Sequence, residues 1–259
     1  MSEQEMAEKT EEFLIKQGDF LLVDLIGRIK SSGKLIDVTD EEVARKEGVY
    51  DEKEVYNPRL VIVGKGWLIK GVDEILDKMV VGVSKSVTLP PNEAFGERNP
   101  KKTIKRSIRE VQKHMQKGQK PRIGAPITLD GKRGFIRSIA SGRVRVDFNH
   151  PLAGETITYN VKVVKKILDQ TEKIIELIRR RMPKIETDKF NLSIDSKVLT
   201  LILPKEVYFD QNLPIAKIGI SSEIQQYLPE IETIQFVEVY GKELFQPAHD
   251  HSHDHNHNH

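Results

Sequence analysis

The chain has 259 residues, 38% of them hydrophobic and 31% charged, with 41 basic against 39 acidic side chains. That near-neutral balance argues against a polyanion partner, so no nucleic acid is expected. There is no cysteine, which excludes disulfides, thiol catalysis and cysteine-ligated zinc and suits a reducing cytoplasm.

Residues 1–17 are polar and rich in glutamate, and read as a loose leader without the apolar core of a secretory signal. No run reaches 18 apolar residues, so no membrane span is expected and the location implied is cytoplasmic. Phe20–Ile29 is a strand by its aliphatic run, Ser31-Ser-Gly33 a hairpin turn, and Lys34–Asp37 the returning strand. Thr39–Gly48 reads as a short helix, with Thr39 as N-cap, Glu42 three residues on and Gly48 at its end. A strand at Arg59–Val63 follows Pro58. Val72, Ile75, Leu76 and Met79 have the spacing of one helix over Gly71–Met79 with a single buried face. Ser84–Leu89 is a strand stopped by Pro90-Pro91.

From Arg98 the composition changes. Lys101–Arg106 is basic, Val111–Lys120 polar, and Ile127–Phe148 alternates around Asp130-Gly131 and Ser141-Gly142, which predicts three short antiparallel strands. The basic run lacks interleaved aromatics and reads as a solvated face. Thr156–Val164 resumes strand alternation. Beyond it, a helix over Gln170–Arg181, a hairpin around Asp195-Ser196, a helix near Ser222–Leu228 and a strand Thr233–Tyr240 predict an α-β-β-α-β unit. Its apolar strand Val198–Leu203 either pairs with a second copy, giving a homodimer through this domain, or packs on its own helix.

No nucleophile with its base and no phosphate cradle is visible. The blocks Gly64-Lys-Gly-Trp-Leu-Ile-Lys-Gly-Val-Asp73, Met79-Val-Val-Gly82 and Ala94-Phe-Gly96 instead offer an apolar floor. In this order they resemble the central block of FKBP-type peptidyl-prolyl cis-trans isomerases. The helical insert after Asp37, the subdomain closed by Phe148-Asn-His-Pro-Leu-Ala-Gly154 and the His-rich end resemble the SlyD-like and archaeal long-type branch. The resemblance covers residues 18–167.

The resemblance implies an α+β fold: an antiparallel sheet wrapped on a short helix, with an inserted β-rich flap subdomain and a C-terminal α+β domain. The expected divisions are a leader 1–17, an isomerase domain 18–97 plus 148–167, an insert 98–147, a C-terminal domain 168–248 and a tail 249–259. The activity implied is isomerisation of prolyl bonds in unfolded or partly folded polypeptides, which needs no cofactor, with chaperone activity from the insert. Catalytic roles fall on Asp37, Leu68, Ile69, Phe95 and Tyr159. Substrate contacts fall on Leu25, Val61 and Val72, with Leu152 and Ala153 at the rim and Ile104, Met115 and Phe135 in the insert. The lone His150, beside this rim, reads as structural. Leu25 stands where the family usually has tyrosine, Val72 where many members have tryptophan or phenylalanine, Arg59 where an aromatic or leucine is common, and Phe95 in place of a tyrosine. An alternative is a peptide-binding chaperone with weak isomerase activity.

His249, His251, His253, His255, His257 and His259 alternate with Asp, Ser and Asn. Imidazoles at this density can bind Ni, Cu or Zn without a folded site, which makes a nickel metallochaperone the other alternative. The mixed spacers favour a natural tail over an engineered tag.

Overall fold

The computed structural model describes residues 14–115 and 119–242, and the chain divides after Leu168 into two units. With strands and helices numbered along the chain, β1 (Phe20–Ile29) buries Leu21, Val23 and Leu25 at alternate positions. One edge of β1 is shared: β3 (Arg59–Ile62) pairs with its first half and β2 (Leu35–Val38) with its second. On the other edge β9 (Ile157–Ile167) runs antiparallel along all of β1, and β4 (Ser84–Leu89) pairs with β9. Val161 and Val163 of β9 join Val23, Val61, Val72, Leu76 and Met79 in one core. Burying this aliphatic face, at roughly 25 cal/mol per Å², is what holds the sheet to the segment that crosses it.

Three local expectations are corrected in this sheet. The leader gives way by Leu14, because Ile15 is buried in the core and Leu14 bridges Val80. Thr39 does not cap a helix. Its hydroxyl accepts from the Leu25 amide at 2.9 Å and donates to Asp24 at 3.1 Å, tying β2 to β1. The cap of helix α1 (Glu41–Lys46) is Asp40, which accepts from the Val43 amide at 3.0 Å. The single helix over Gly71–Met79 is instead one α-turn, α2 (Lys70–Asp73), followed by a 3-10 turn at Leu76–Lys78. Val72, Leu76 and Met79 remain buried, since either hydrogen-bond pattern keeps those positions on one face.

Between β4 and β9 the chain builds a second sheet from β5 (Thr103–Ser107), β6 (Pro126–Leu129), β7 (Lys132–Ala140) and β8 (Arg143–Asp147), ordered β5-β8-β7-β6 and antiparallel throughout. The three antiparallel strands expected around the two turns are β6, β7 and β8, and β5 adds a fourth that was not expected. β5 lies in the basic run, where Ile104 is the only large apolar residue and the alternation is faint. Helix α3 (Ile108–Lys113), capped by Ser107, sits where the sequence read only as polar. Val111 on α3 packs with Ile127, Leu129, Ile136, Val144 and Val146. Both hairpin turns place two successive residues at positive φ, Asp130-Gly131 and Ser141-Gly142. This is the backbone that tight two-residue hairpins require.

The second unit comprises α4 (Gln170–Arg181), β10 (Asn191–Asp195), β11 (Val198–Ile202), α5 (Leu213–Tyr227) and β12 (Thr233–Val237). Helix α5 is twice the length expected, with Pro214 in its first turn, where a missing amide costs nothing. Its apolar residues lie on several sides, so no amphipathic period announced it. β11 is the central strand, antiparallel to β10 and parallel to β12. Both its edges are occupied, and Leu199 and Leu201 are fully buried. A homodimer paired edge to edge through Val198–Leu203 is therefore corrected, because both edges of that strand are taken by β10 and β12.

Candidate active site

A cavity of about 250 Å³ opens on the inner face of the first sheet, lined by Leu25, Ile36, Asp37, Arg59, Trp67, Leu68, Ile69, Val72, Phe95 and Tyr159. Leu25 and Val72 form its floor, each about 1% exposed, and Tyr159 is 4% exposed. Leu68, Ile69, Trp67 and Phe95 are half-buried and pack against the same core. The loop that carries them is held by Asp73, whose carboxylate accepts from the Gly64 and Gly66 amides at 3.3 Å. Both glycines are at positive φ, the conformation that folds the chain back onto α2. Gly71 serves contact instead: a Cβ there would lie 2.4 Å from Leu89 Cδ2, so its absence lets α2 lie directly on β4.

One edge of the cavity is polar. Arg59 donates twice to Asp37, at 2.8 and 3.1 Å, and the Tyr159 hydroxyl donates to the same carboxylate at 3.2 Å. Burial pushes the Tyr159 pKa well up, and the neighbouring Asp37 charge adds to this, so the phenol stays protonated and remains a donor. For Arg59, burial works to lower the pKa, but the hydrogen bond and charge of Asp37 outweigh it and the net shift is upward. Tyr159 reaches this position because its partner in β1 is Gly27. A Cβ on Gly27 would sit 2.7 Å from the ring.

On the far side, Phe95 stacks face to face on His150, with centroids 4.7 Å apart and planes within 2°. His150 in turn accepts the Leu152 amide on Nδ1 at 3.2 Å and accepts the Ala153 amide on its carbonyl at 2.9 Å. His150 thus sets the pose of Phe95.

Of the residues singled out from sequence, Asp37, Leu68, Ile69, Phe95, Tyr159, Leu25 and Val72 come together around this cavity. Val61 does not line it. Val61 is fully buried opposite Leu21, behind the floor. Leu152 and Ala153 also stand off the lining, in the turn that positions His150. Ile104 and Met115 pack on the insert's own core, while Phe135 is half-buried on the opposite face of that sheet. Arg59, read as standing where the family commonly has an aromatic or leucine, also lines the cavity, whereas Ile36 and Trp67 were missed as lining residues. Trp67 had a usable signal, since a tryptophan directly after a Gly-Lys-Gly turn has little room in a core. The six tail histidines lie outside the described residues, and among the described residues no group of three His, Asp or Glu could hold a metal ion. No helix there is long and apolar enough to cross a membrane.

The cavity thus joins an apolar floor to a polar edge at which Asp37 is held by Arg59 and Tyr159. Residues 12–113 match the family described as FKBP-type peptidyl-prolyl cis-trans isomerase, residues 108–152 the FKBP26 IF domain, and residues 170–241 the FKBP26 C-terminal domain. The chain is 38% identical over 152 residues to a short-type peptidyl-prolyl cis-trans isomerase of Methanocaldococcus jannaschii, covering 58% of this chain and 92% of that protein. It is 34% identical over 137 residues to an FKBP-type 16 kDa isomerase of Escherichia coli, covering 51% and 84%. A SlyD isomerase of Vibrio cholerae is 31% identical over 120 residues, covering 45% and 58%. The chain belongs to the FKBP-type peptidyl-prolyl cis-trans isomerases, with an insert-in-flap domain and a C-terminal domain.

Proposed function

We propose that the prolyl ring of an unfolded polypeptide enters the 250 Å³ cavity and that its amide twists there under Phe95. Uncatalysed rotation crosses a barrier of about 18–20 kcal/mol set by amide resonance. Water stabilises the planar amide more than the less polar twisted one. A floor of buried Leu25 and Val72 removes that water and favours the twisted form, with no proton transfer. Asp37, charge-paired with Arg59, acts as an oriented dipole at the edge and not as a base. The aliphatic floor implies a slower enzyme than one floored by an aromatic ring, because a flat indole offers more contact to the prolyl ring.

The observation that carries this reading is the convergence of Leu68, Ile69, Val72, Phe95 and Tyr159 from three separate segments on one cavity. The test is Phe95→Ala. We expect the specificity constant for a proline tetrapeptide to fall at least tenfold. Stability should fall by less than the roughly 3–5 kcal/mol of a fully buried phenylalanine. Loss of stability with unchanged turnover would place Phe95 in the core and not in the site.

Division of labour follows the segments: residues 18–97 and 148–167 isomerise, and 98–147 hold unfolded clients in the cytoplasm. Ile123, 69% exposed, and half-buried Phe135 support the holding role. Ile123→Ser with Phe135→Ser should weaken suppression of aggregation while tetrapeptide turnover stays unchanged. The tail histidines would bind nickel independently of both activities. Equilibrium dialysis of the full chain against a form lacking 249–259 tests this, and equal uptake by the two would exclude it.

A further inference from the structure

We infer that a cationic groove where the insert meets the isomerase sheet binds an acidic stretch of the polypeptide whose prolyl bond occupies the cavity beside Phe95. The protein would then prefer prolines that have carboxylates a few residues away. The groove, about 680 Å³, is lined by Arg98, Lys105, Arg137 and Arg145 against two carboxylates, Asp147 and Glu155. Asp147 is buried and already committed, accepting from both Arg98 and Arg137. Lys105 and Arg145 are different. Both are exposed, and they stand directly opposite each other in the β5–β8 register. Like charges in that position destabilise an antiparallel pair, and no carboxylate among the described residues pairs with either. A local rule broken without compensation inside the fold is expected where something binds. A client carboxylate between the two cations supplies the compensation.

The placement fits one chain passing through both sites. Phe95 and Arg98 are three residues apart, so their Cα atoms lie within roughly 11 Å. The loop between them is fixed, since the Gly154 amide donates to the Gly96 carbonyl at 2.9 Å. An extended client spans that distance in about three to four residues. Phosphate backbone would also find the cations, but the lining has no aromatic ring on which bases could stack. The acidic polypeptide is therefore the occupant we assign, and the inference rests on the prolyl cavity described above.

The test uses the full chain and three fluorescein-labelled proline peptides that carry Glu-Glu, Gln-Gln or Lys-Lys four residues from the proline. Binding is read by anisotropy and turnover separately, so failure of the cavity would appear as absent turnover while binding still reports on the groove. At low salt the Glu peptide should bind about three- to tenfold more tightly than the Gln peptide, as expected for one or two exposed charge pairs. The difference should vanish near 0.5 M salt, where screening is nearly complete. It should also vanish in the Lys105→Glu/Arg145→Glu variant, whose unchanged affinity for the Gln peptide shows that it is folded. Equal binding of the three peptides by the parent protein would overturn the inference. So would an advantage that persists in the variant, or an oligothymidylate that displaces the Glu peptide more tightly than unlabelled Glu peptide does.

Discussion

Gly27 shows how a site can depend on a residue that never touches substrate. Its missing side chain is the space the Tyr159 ring occupies, and that ring both floors the cavity and donates to Asp37. We expect Gly27→Ala to displace the ring, lowering turnover of a proline tetrapeptide severalfold and costing about 1–3 kcal/mol in urea denaturation. Tyr159→Phe keeps the ring and removes only the hydroxyl, so it should cost about 0.5–1.5 kcal/mol and disturb turnover less. If Gly27→Ala is silent in both measurements, the close approach is not needed. Most of the cavity was legible in the sequence because a short ordered block carries Leu68, Ile69 and Val72. Arg59 was not legible as a partner of Asp37. The two are 22 residues apart, and only the sharing of one β1 edge by β2 and β3 brings them together.

At the level of elements, the insert is joined to the isomerase sheet by two connections that are fastened to each other. Asn149 donates to the Asn99 carbonyl at 3.0 Å and accepts the Asn99 amide at 2.9 Å. It also donates to buried Asp147 from its side chain and its backbone, at 2.7 and 2.9 Å, and Arg98 and Arg137 complete the clasp. Burial works to raise the Asp147 pKa. The Asn149 hydrogen bonds, the Arg98 charge and the Arg137 hydrogen bond overcome it and hold the carboxyl below the usual range. The stabilisation is therefore complete above the unfolded-state pKa, near 4, and is lost as the pH falls through the lower folded-state value. Asp147→Asn should cost about 2 kcal/mol at pH 7, and the gap to the parent protein should narrow towards pH 3. A gap independent of pH would mean that the charge of Asp147 is idle. Sequence patterns located β1, β4 and α4 to the residue because alternation or helical period is strong there. They missed β5 and α3, whose one-sided burial rests on one or two apolar residues each, and they shortened α5, which is apolar on more than one side.

For the whole molecule, the division after Leu168 predicts separable behaviour. The cavity beside Phe95, the insert and the clasp all lie in the first unit, and the short-type relative aligns over a comparable length. A chain ending at Leu168 should fold and turn over a proline tetrapeptide at a rate within about twofold of the full chain, as expected when no residue of the site is removed. An unfolded product in circular dichroism would show instead that the second unit is needed for the first. The pairing of β1 with β9 has its own consequence for how such a chain comes into being. The partners are more than a hundred residues apart, and β9 lies between β1 and β4 in the sheet. At about 5–20 residues per second, β1 waits on the order of ten seconds for its neighbour to leave the ribosome. During that interval we expect the insert, whose hairpins close locally, to fold first and draw the two ends of the gap together, shortening the loop that β9 must close. A prolyl isomerase would thus have a built-in delay of its own, which the inserted sheet should keep brief.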